Sequence, residues 1–175
     1  VGDGSQISSA GNTSITGNLK NENSSIVSKS NFTQDQGYFY NDANSVVKAK
    51  LGTAEFGSAE FNTSTWTNDG FVGADVLNVT ASAITNQGDS ALVLTGSSLN
   101  MTTTGGDLNN TGGAVLYSFG DARFDVLATL LNESSYIETQ KGNLTVFADE
   151  LVNKKETFNV LTSTKVTPGI VEQLA

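Results

Sequence analysis

An aliphatic or aromatic residue stands two places ahead of an asparagine seven times along this chain: Leu19/Asn21, Phe39/Asn41, Trp66/Asn68, Ile84/Asn86, Leu108/Asn110, Leu130/Asn132 and Leu151/Asn153. Successive asparagines are 20, 27, 18, 24, 22 and 21 residues apart. A recurrence near 20 residues marks a solenoid, in which each repeat buries its apolar face only against its neighbours.

The residues leading into each asparagine alternate. Leu77, Val79, Ala81 and Ala83 precede Ile84 and Asn86, with Asn78, Thr80 and Ser82 between them. Leu144, Val146 and Ala148 precede Leu151 and Asn153 at the same offsets, and Ala59, Phe61, Thr63 and Thr65 precede Trp66 and Asn68. Alternation predicts strands with one buried and one wet face. Phe124, Val126, Ala128 and Leu130 run one residue closer to their asparagine, which predicts a bulge or a shortened corner. A second apolar cluster follows about five residues later, as Ile26-Val27, Val46-Val47, Ala91-Leu92, Val115-Leu116, Tyr136-Ile137 and Phe158; Phe71-Val72 arrives early. Turn formers such as Asn68-Asp69-Gly70, Asn86-Gln87-Gly88 and Thr111-Gly112-Gly113 separate the clusters. Each repeat thus reads as strand, turn, shorter strand, turn.

Regular short strands also fit an antiparallel sandwich. Hairpins, however, have no cause to place like residues at like offsets repeat after repeat. A parallel β-helix does, because coils stacked about 4.8 Å apart bring equivalent residues into contact. Seven such coils make a rod of roughly 35 Å. Residues 1–14 read as a linker or imperfect first coil. The repeats occupy 15–161, with an irregular long coil at 42–67, and 162–175 form an exit segment.

Asn, Ser, Thr and Gly supply 76 of 175 residues, a polar coat that would suggest disorder were the apolar alternation absent. The net charge is −9, and the densest basic cluster is Lys154-Lys155 followed by Glu156. Nucleic-acid binding requires clustered cations, so no nucleic-acid partner is expected. An anionic membrane surface repels such a chain, and no run approaches the roughly 18 apolar residues of a span, so no membrane insertion is expected. No cysteine is present, which suits export through an oxidising compartment. The chain opens on Val1 without a signal peptide and reads as an internal or trimmed segment.

Residues Gly142 to Ala148, continuing through Leu151, Val152 and Asn153 to Glu156, resemble the haemagglutinin repeats of filamentous-haemagglutinin-like exoproteins. Val76 to Ala81 with Ile84 to Gly88 does so too. The likeness is best over 59–160 and weaker over 15–58. These are very large Gram-negative proteins exported by two-partner secretion, and they include adhesins and contact-dependent growth inhibition effectors. The resemblance implies a right-handed parallel β-helix of about seven coils, secreted or held at the cell surface. It also implies an outer-membrane transporter as export partner, and a receptor protein or glycan on a neighbouring bacterial or host cell.

Chemistry-bearing constellations are sparse. With no histidine and no cysteine, His-based triads and His or Cys metal sites cannot form. Thr104-Gly105-Gly106-Asp107 has the look of one calcium-binding glycine–aspartate repeat, but without its nine-residue period it reads as a turn. No metal or cofactor is expected. Some parallel β-helices degrade polysaccharides, which requires two carboxyls about 5–10 Å apart across one groove. Asp121, Asp125, Glu133 and Glu138 are the candidates, and they read better as solvated turn residues. Nine Asn-x-Ser/Thr sequons occur, at Asn12, Asn23, Asn31, Asn62, Asn78, Asn100, Asn109, Asn132 and Asn143, and leave modification open.

Seven of the chain's aromatics fall within 32–66, the region that breaks the repeat. If the chain recognises a partner, Tyr38, Tyr40, Phe56 and Trp66 are the candidate contacts, since aromatics stack on sugars and anchor protein partners. The competing reading packs them in the core. Asn68, Asn86, Asn110, Asn132 and Asn153 are expected at turns, adopting the left-handed conformation or bonding the backbone two residues on, and stacking as a ladder. The expected function is a non-enzymatic stalk or recognition surface. A dedicated receptor-binding module and a β-helical polysaccharide hydrolase or lyase are the alternatives.

Overall fold

The computed structural model describes residues 4–50 and 57–155. All seventeen strands pair in parallel and stack as a β-solenoid of about seven turns. The antiparallel sandwich is therefore set aside.

The pairings resolve into three sheets. The first contains β1 (Gln6–Ser9), β4 (Ser25–Ser28), β7 (Val46–Ala49), the start of β9 (Phe71–Gln87), the start of β10 (Leu92–Thr103), β12 (Val115–Ser118) and β15 (Tyr136–Thr139). The second contains β2 (Thr13–Thr16), β5 (Phe32–Asp35), the start of β8 (Ser58–Asn68), the middle of β9, the end of β10, β13 (Asp121–Asp125) and β16 (Leu144–Phe147). The third contains β3 (Leu19–Asn21), β6 (Phe39–Asn41), the ends of β8 and β9, β11 (Leu108–Thr111), β14 (Thr129–Glu133) and β17 (Glu150–Lys154). β1 pairs in register with β4, so residues from Gln6 onward form part of the first coil.

Each coil therefore contributes to three sheets rather than the two read from sequence, with β8, β9 and β10 running on through corners. The extra corner falls inside what reads as one alternating segment. Ala81 and Ile84 both point inward, while Ser82 and Ala83 between them face out, and Ser64 and Thr65 turn the same corner between Thr63 and Trp66. Two consecutive outward residues shift the alternation by one, and that shift is the bend. Ala83 accordingly leaves the inward column assigned to it. In the next coils this corner lengthens: Met101 to Leu108 spans two residues more than Val79 to Ile84, and Phe124 to Leu130 one more. Thr104-Gly105-Gly106 fills the longer corner, as a turn.

Asn41 to Asn68 is seven residues longer than Asn21 to Asn41: one lies in the turn before β7, where Asn41 to Val46 takes five steps against four from Asn21 to Ser25, and six lie at the next corner. β7 keeps register with β4 and β9. Ser28 to Phe32 covers four steps, whereas the equivalent Ala49 to Ala59 covers ten. That corner includes residues 51–56, which lie outside the described residues.

The core is a stack of side-chain columns. One runs Leu19, Phe39, Trp66, Ile84, Leu108, Leu130 and Leu151. Leu77, Val79, Ala81 and Ile84 point inward as expected. Leu144 and Leu151 hold the same register in the last described coil but are 47% and 57% exposed, and Val146 and Ala148 are partly buried. Coils 2 and 3 are filled by rings: Phe39 stacks on Trp66 with centroids 5.3 Å apart, and Phe61 lies 4.6 Å from Phe39 and 5.3 Å from Phe32.

Candidate functional site

Beside the Leu19 to Leu151 column runs the asparagine column. Asn21 donates to Asn41 Oδ1 at 2.8 Å, Asn41 to Asn68 at 2.9 Å, Asn68 to Asn86 at 2.8 Å, Asn86 to Asn110 at 2.8 Å, Asn110 to Asn132 at 2.8 Å, and Asn132 to Asn153 at 2.9 Å. Every rung points the same way, from Nδ2 of one coil to Oδ1 of the next. The second N–H reaches a backbone carbonyl: Val46 for Asn21, Phe71 for Asn41, Val115 for Asn86 and Tyr136 for Asn110. Each of these carbonyls opens a first-sheet strand, so the ladder pins the third sheet to the first. Asparagine suits the task because a short arm carries two donors and an acceptor.

These asparagines stand at strand ends and point inward; Asn21, Asn41, Asn68, Asn86 and Asn110 are buried. The left-handed conformation expected of them falls instead on neighbours in the adjoining turn: Asn23 (φ 45°), Gly88 (φ 86°), Gly112 (φ 70°), Gly113 (φ 93°) and Ser134 (φ 51°). The local bond two residues on does form at Asn68, whose Nδ2 donates to Gly70 O at 2.8 Å. This is the tightest of the turns. A Cβ on Gly70 would lie 2.1 Å from Asp42 O and 2.6 Å from Ser45 O, so only glycine fits. Asn132, one of the sequons, commits its amide to the ladder.

On the outside of the third sheet, β6 carries the candidate recognition residues. Phe39 points in, so Tyr38 and Tyr40 point out. Tyr38 is 37% exposed and Tyr40 is half-buried. With Lys20 and Glu22 from the coil before and Thr65 and Thr67 from the coil after, they line an open groove of about 410 Å³. Tyr40 Oη lies 3.4 Å from Asp69 Oδ2, and Lys20 Nζ lies 2.8 Å from Glu22 Oε1. Partial burial, then the Asp69 carboxylate, holds the Tyr40 hydroxyl above its ordinary pKa. Glu22 does the same for the Lys20 ammonium. A hydroxyl, a cation, a carboxylate and two ring faces in one shallow groove are suited to stacking and hydrogen bonding with a polar ligand.

Trp66 is not part of this surface. It is fully buried, in the column whose other members are Phe39 and Ile84, and Nε1 has no hydrogen-bond partner within the protein. The register that sends every residue two before a ladder asparagine inward applies to tryptophan as well. Phe56 lies outside the described residues. Two groups important to the fold escaped the sequence reading. Gln34 sits wholly buried where Phe61 and Val79 stand in later coils, and its Nε2 ties Gly17 O and Tyr38 O at 3.0 and 2.9 Å. The second is an outward column of the first sheet, Val46, Phe71, Leu92, Val115 and Tyr136, which is apolar throughout.

The four candidate carboxylates do not converge. Asp121 and Asp125 sit on the second sheet, where Asp125 forms a two-pronged pair with Arg123 at 2.7 and 2.8 Å and Asp121 accepts from the Asn143 backbone at 2.7 Å. Glu133 lies on the third sheet, paired with Lys154 at 3.1 Å, and Glu138 on the first. Among the described residues no group of three or more potential ligands could hold a metal ion, and no helix is long and apolar enough to cross a membrane. Set against family models, curated proteins and solved structures, the chain finds no match.

Proposed function

We propose that this chain is a non-enzymatic, surface-exposed segment of a large secreted bacterial exoprotein, acting as stalk and recognition surface in adhesion or contact-dependent toxin delivery. The observation that carries the reading is the stack itself. Each coil commits its inward side chains to its neighbours through one continuous ladder, leaving a rod whose outward residues are free to vary without disturbing the core. Such a rod suits presentation at a distance from a cell surface. The resemblance of residues 76–88 and 142–156 to haemagglutinin repeats supports the same reading. With it come export by an outer-membrane transporter and a location outside the Gram-negative outer membrane.

The Tyr38/Tyr40 groove favours a second reading, in which the segment itself binds an outer-membrane protein or glycan on a neighbouring cell. Binding of the isolated chain to target bacteria and to host cells tests both. A recognition surface at the groove predicts saturable binding, weakened at least tenfold by Tyr38→Ala or Tyr40→Ala in variants that melt like the parent. Full binding by both variants moves the contact elsewhere on the rod, and no binding to any cell leaves the stalk alone.

A further inference from the structure

The outer surface of the first sheet departs from the polar coat of the other two. Val46, Phe71, Leu92, Val115 and Tyr136 stand one above another in register and point outward. The adjoining outward column runs Lys48, Gly73, Leu94, Tyr117 and Glu138. Phe119, 43% exposed, meets Tyr117 edge-on with centroids 5.1 Å apart and widens the stripe. A comparable outward column on the second sheet reads Thr33, Glu60, Asn78, Asn100 and Arg123. Apolar residues on both sides of one short strand make a sheet that can be buried on both faces.

We propose that this face pairs with the same face of a second copy of the chain, the two rods antiparallel about a two-fold axis through the fifth coil. The argument is self-complementarity. Lys48 in the third coil and Glu138 in the seventh lie in one column, equally far from Leu94 in the fifth. A two-fold axis along the strand direction at Leu94 keeps each column facing its own counterpart. It sets Lys48 opposite Glu138 of the second copy, twice, and brings Leu92 and Leu94 onto themselves. It also places Gly73 against Tyr117 and Val46 against Tyr136, so that small faces large. A two-fold axis along the rod would instead keep coil three level with coil three and coil seven with coil seven, leaving Lys48 and Glu138 of the two copies four coils apart. An isologous contact requires this kind of match between a patch and its own reverse, and flat sheets pack face to face at about 10 Å.

The area sets the strength. Five coils at about 4.8 Å, two columns wide, cover roughly 300–500 Å² per copy. Stable complexes bury about 800 Å² per partner. The pairing is therefore weak and concentration-dependent, forming where many copies are held together.

Sedimentation equilibrium of the 175-residue chain, from micromolar to near-millimolar concentration, tests this. The mass is expected to rise from 18.3 kDa toward twice that value. Lys48→Glu alone and Glu138→Lys alone each weaken association at least tenfold, the double reversal restores it, and Leu94→Glu abolishes it. All three sites face outward, and far-UV circular dichroism of each of the four variants checks the fold. A wild-type mass fixed at 18.3 kDa throughout overturns the proposal. So does a dimer on which the single and double charge reversals act alike.

Discussion

Coils 4 to 6 and coil 7 carry equivalent residues in equivalent register, yet they bury them differently. Ile84, Leu108 and Leu130 are fully buried, while Leu151, the next member of the column, is 57% exposed. Asn86 and Asn110 are fully buried and bonded on both sides, whereas Asn153 receives one rung and stands exposed. Between these coils the residues are alike, so the difference in burial follows the neighbouring described coil rather than residue type. Stability is then a sum of coil-to-coil terms, and identical substitutions should have position-dependent costs.

The largest contrast lies in the apolar column. Trp66→Ala opens a cavity between Phe39 and Ile84 and is expected to cost about 3–5 kcal/mol, while Leu151→Ala in the half-exposed coil costs about 1 kcal/mol or less. Trp66→Phe sharpens the point. Because the indole N–H has no partner, losing it forfeits volume only, and the cost stays near 1–2 kcal/mol. Urea unfolding of the three variants measures this; equal losses for Trp66→Ala and Leu151→Ala would break the comparison.

Next comes the ladder. Asn86→Ala removes two amide–amide bonds and strands a buried donor and a buried acceptor on its neighbours, costing about 2–3 kcal/mol. Asn153→Ala removes one exposed rung and costs about 0.5 kcal/mol or less. Thermal melts that shift equally would contradict the assignment of the middle rungs as the strong ones.

The smallest effect belongs to the outer surface. The Tyr40 hydroxyl titrates above its ordinary pKa of 10.0 in the fold, so its contribution is complete below pH 10 and lost as pH climbs from there through the raised value. Tyr40→Phe should lower the melting temperature slightly at neutral pH and make the alkaline fall slightly shallower. The group is largely solvated, so the difference is slight. A variant whose melting temperature at pH 7 falls as far as that of Asn86→Ala would place Tyr40 in the structural framework rather than on its surface.

Much of the architecture was legible because each coil repeats one physical instruction. The spacing of Leu-x-Asn located the third sheet and its ladder, and the alternation of Leu77, Val79 and Ala81 located the second. The corner at Ser82-Ala83 was missed because it contains no glycine or proline; its trace was the odd spacing of Ala81 and Ile84. For Trp66 the aromatic neighbourhood points to a surface and the offset from Asn68 points to the core, and the offset decides. Tyr38 and Tyr40 were singled out by their aromatic neighbourhood; that they face outward follows from flanking the inward Phe39. Adjacent pairs such as Val46-Val47 and Val115-Leu116 carried the signature of a strand apolar on both faces, readable once the parity of each coil is set. Gln34 had no signature, because a buried amide looks like a surface one until the carbonyls it ties are known.

Hydrogen exchange of the asparagine side-chain amides, followed by NMR, tests the central claim most directly. If one continuous ladder joins the coils, the Nδ2 protons of Asn68, Asn86 and Asn110 exchange at least a thousandfold more slowly than those of the exposed Asn23, and Asn153 falls between them or near the exposed limit. Exchange at the exposed rate for Asn86 and Asn110, in a chain whose backbone amides remain protected, would contradict it.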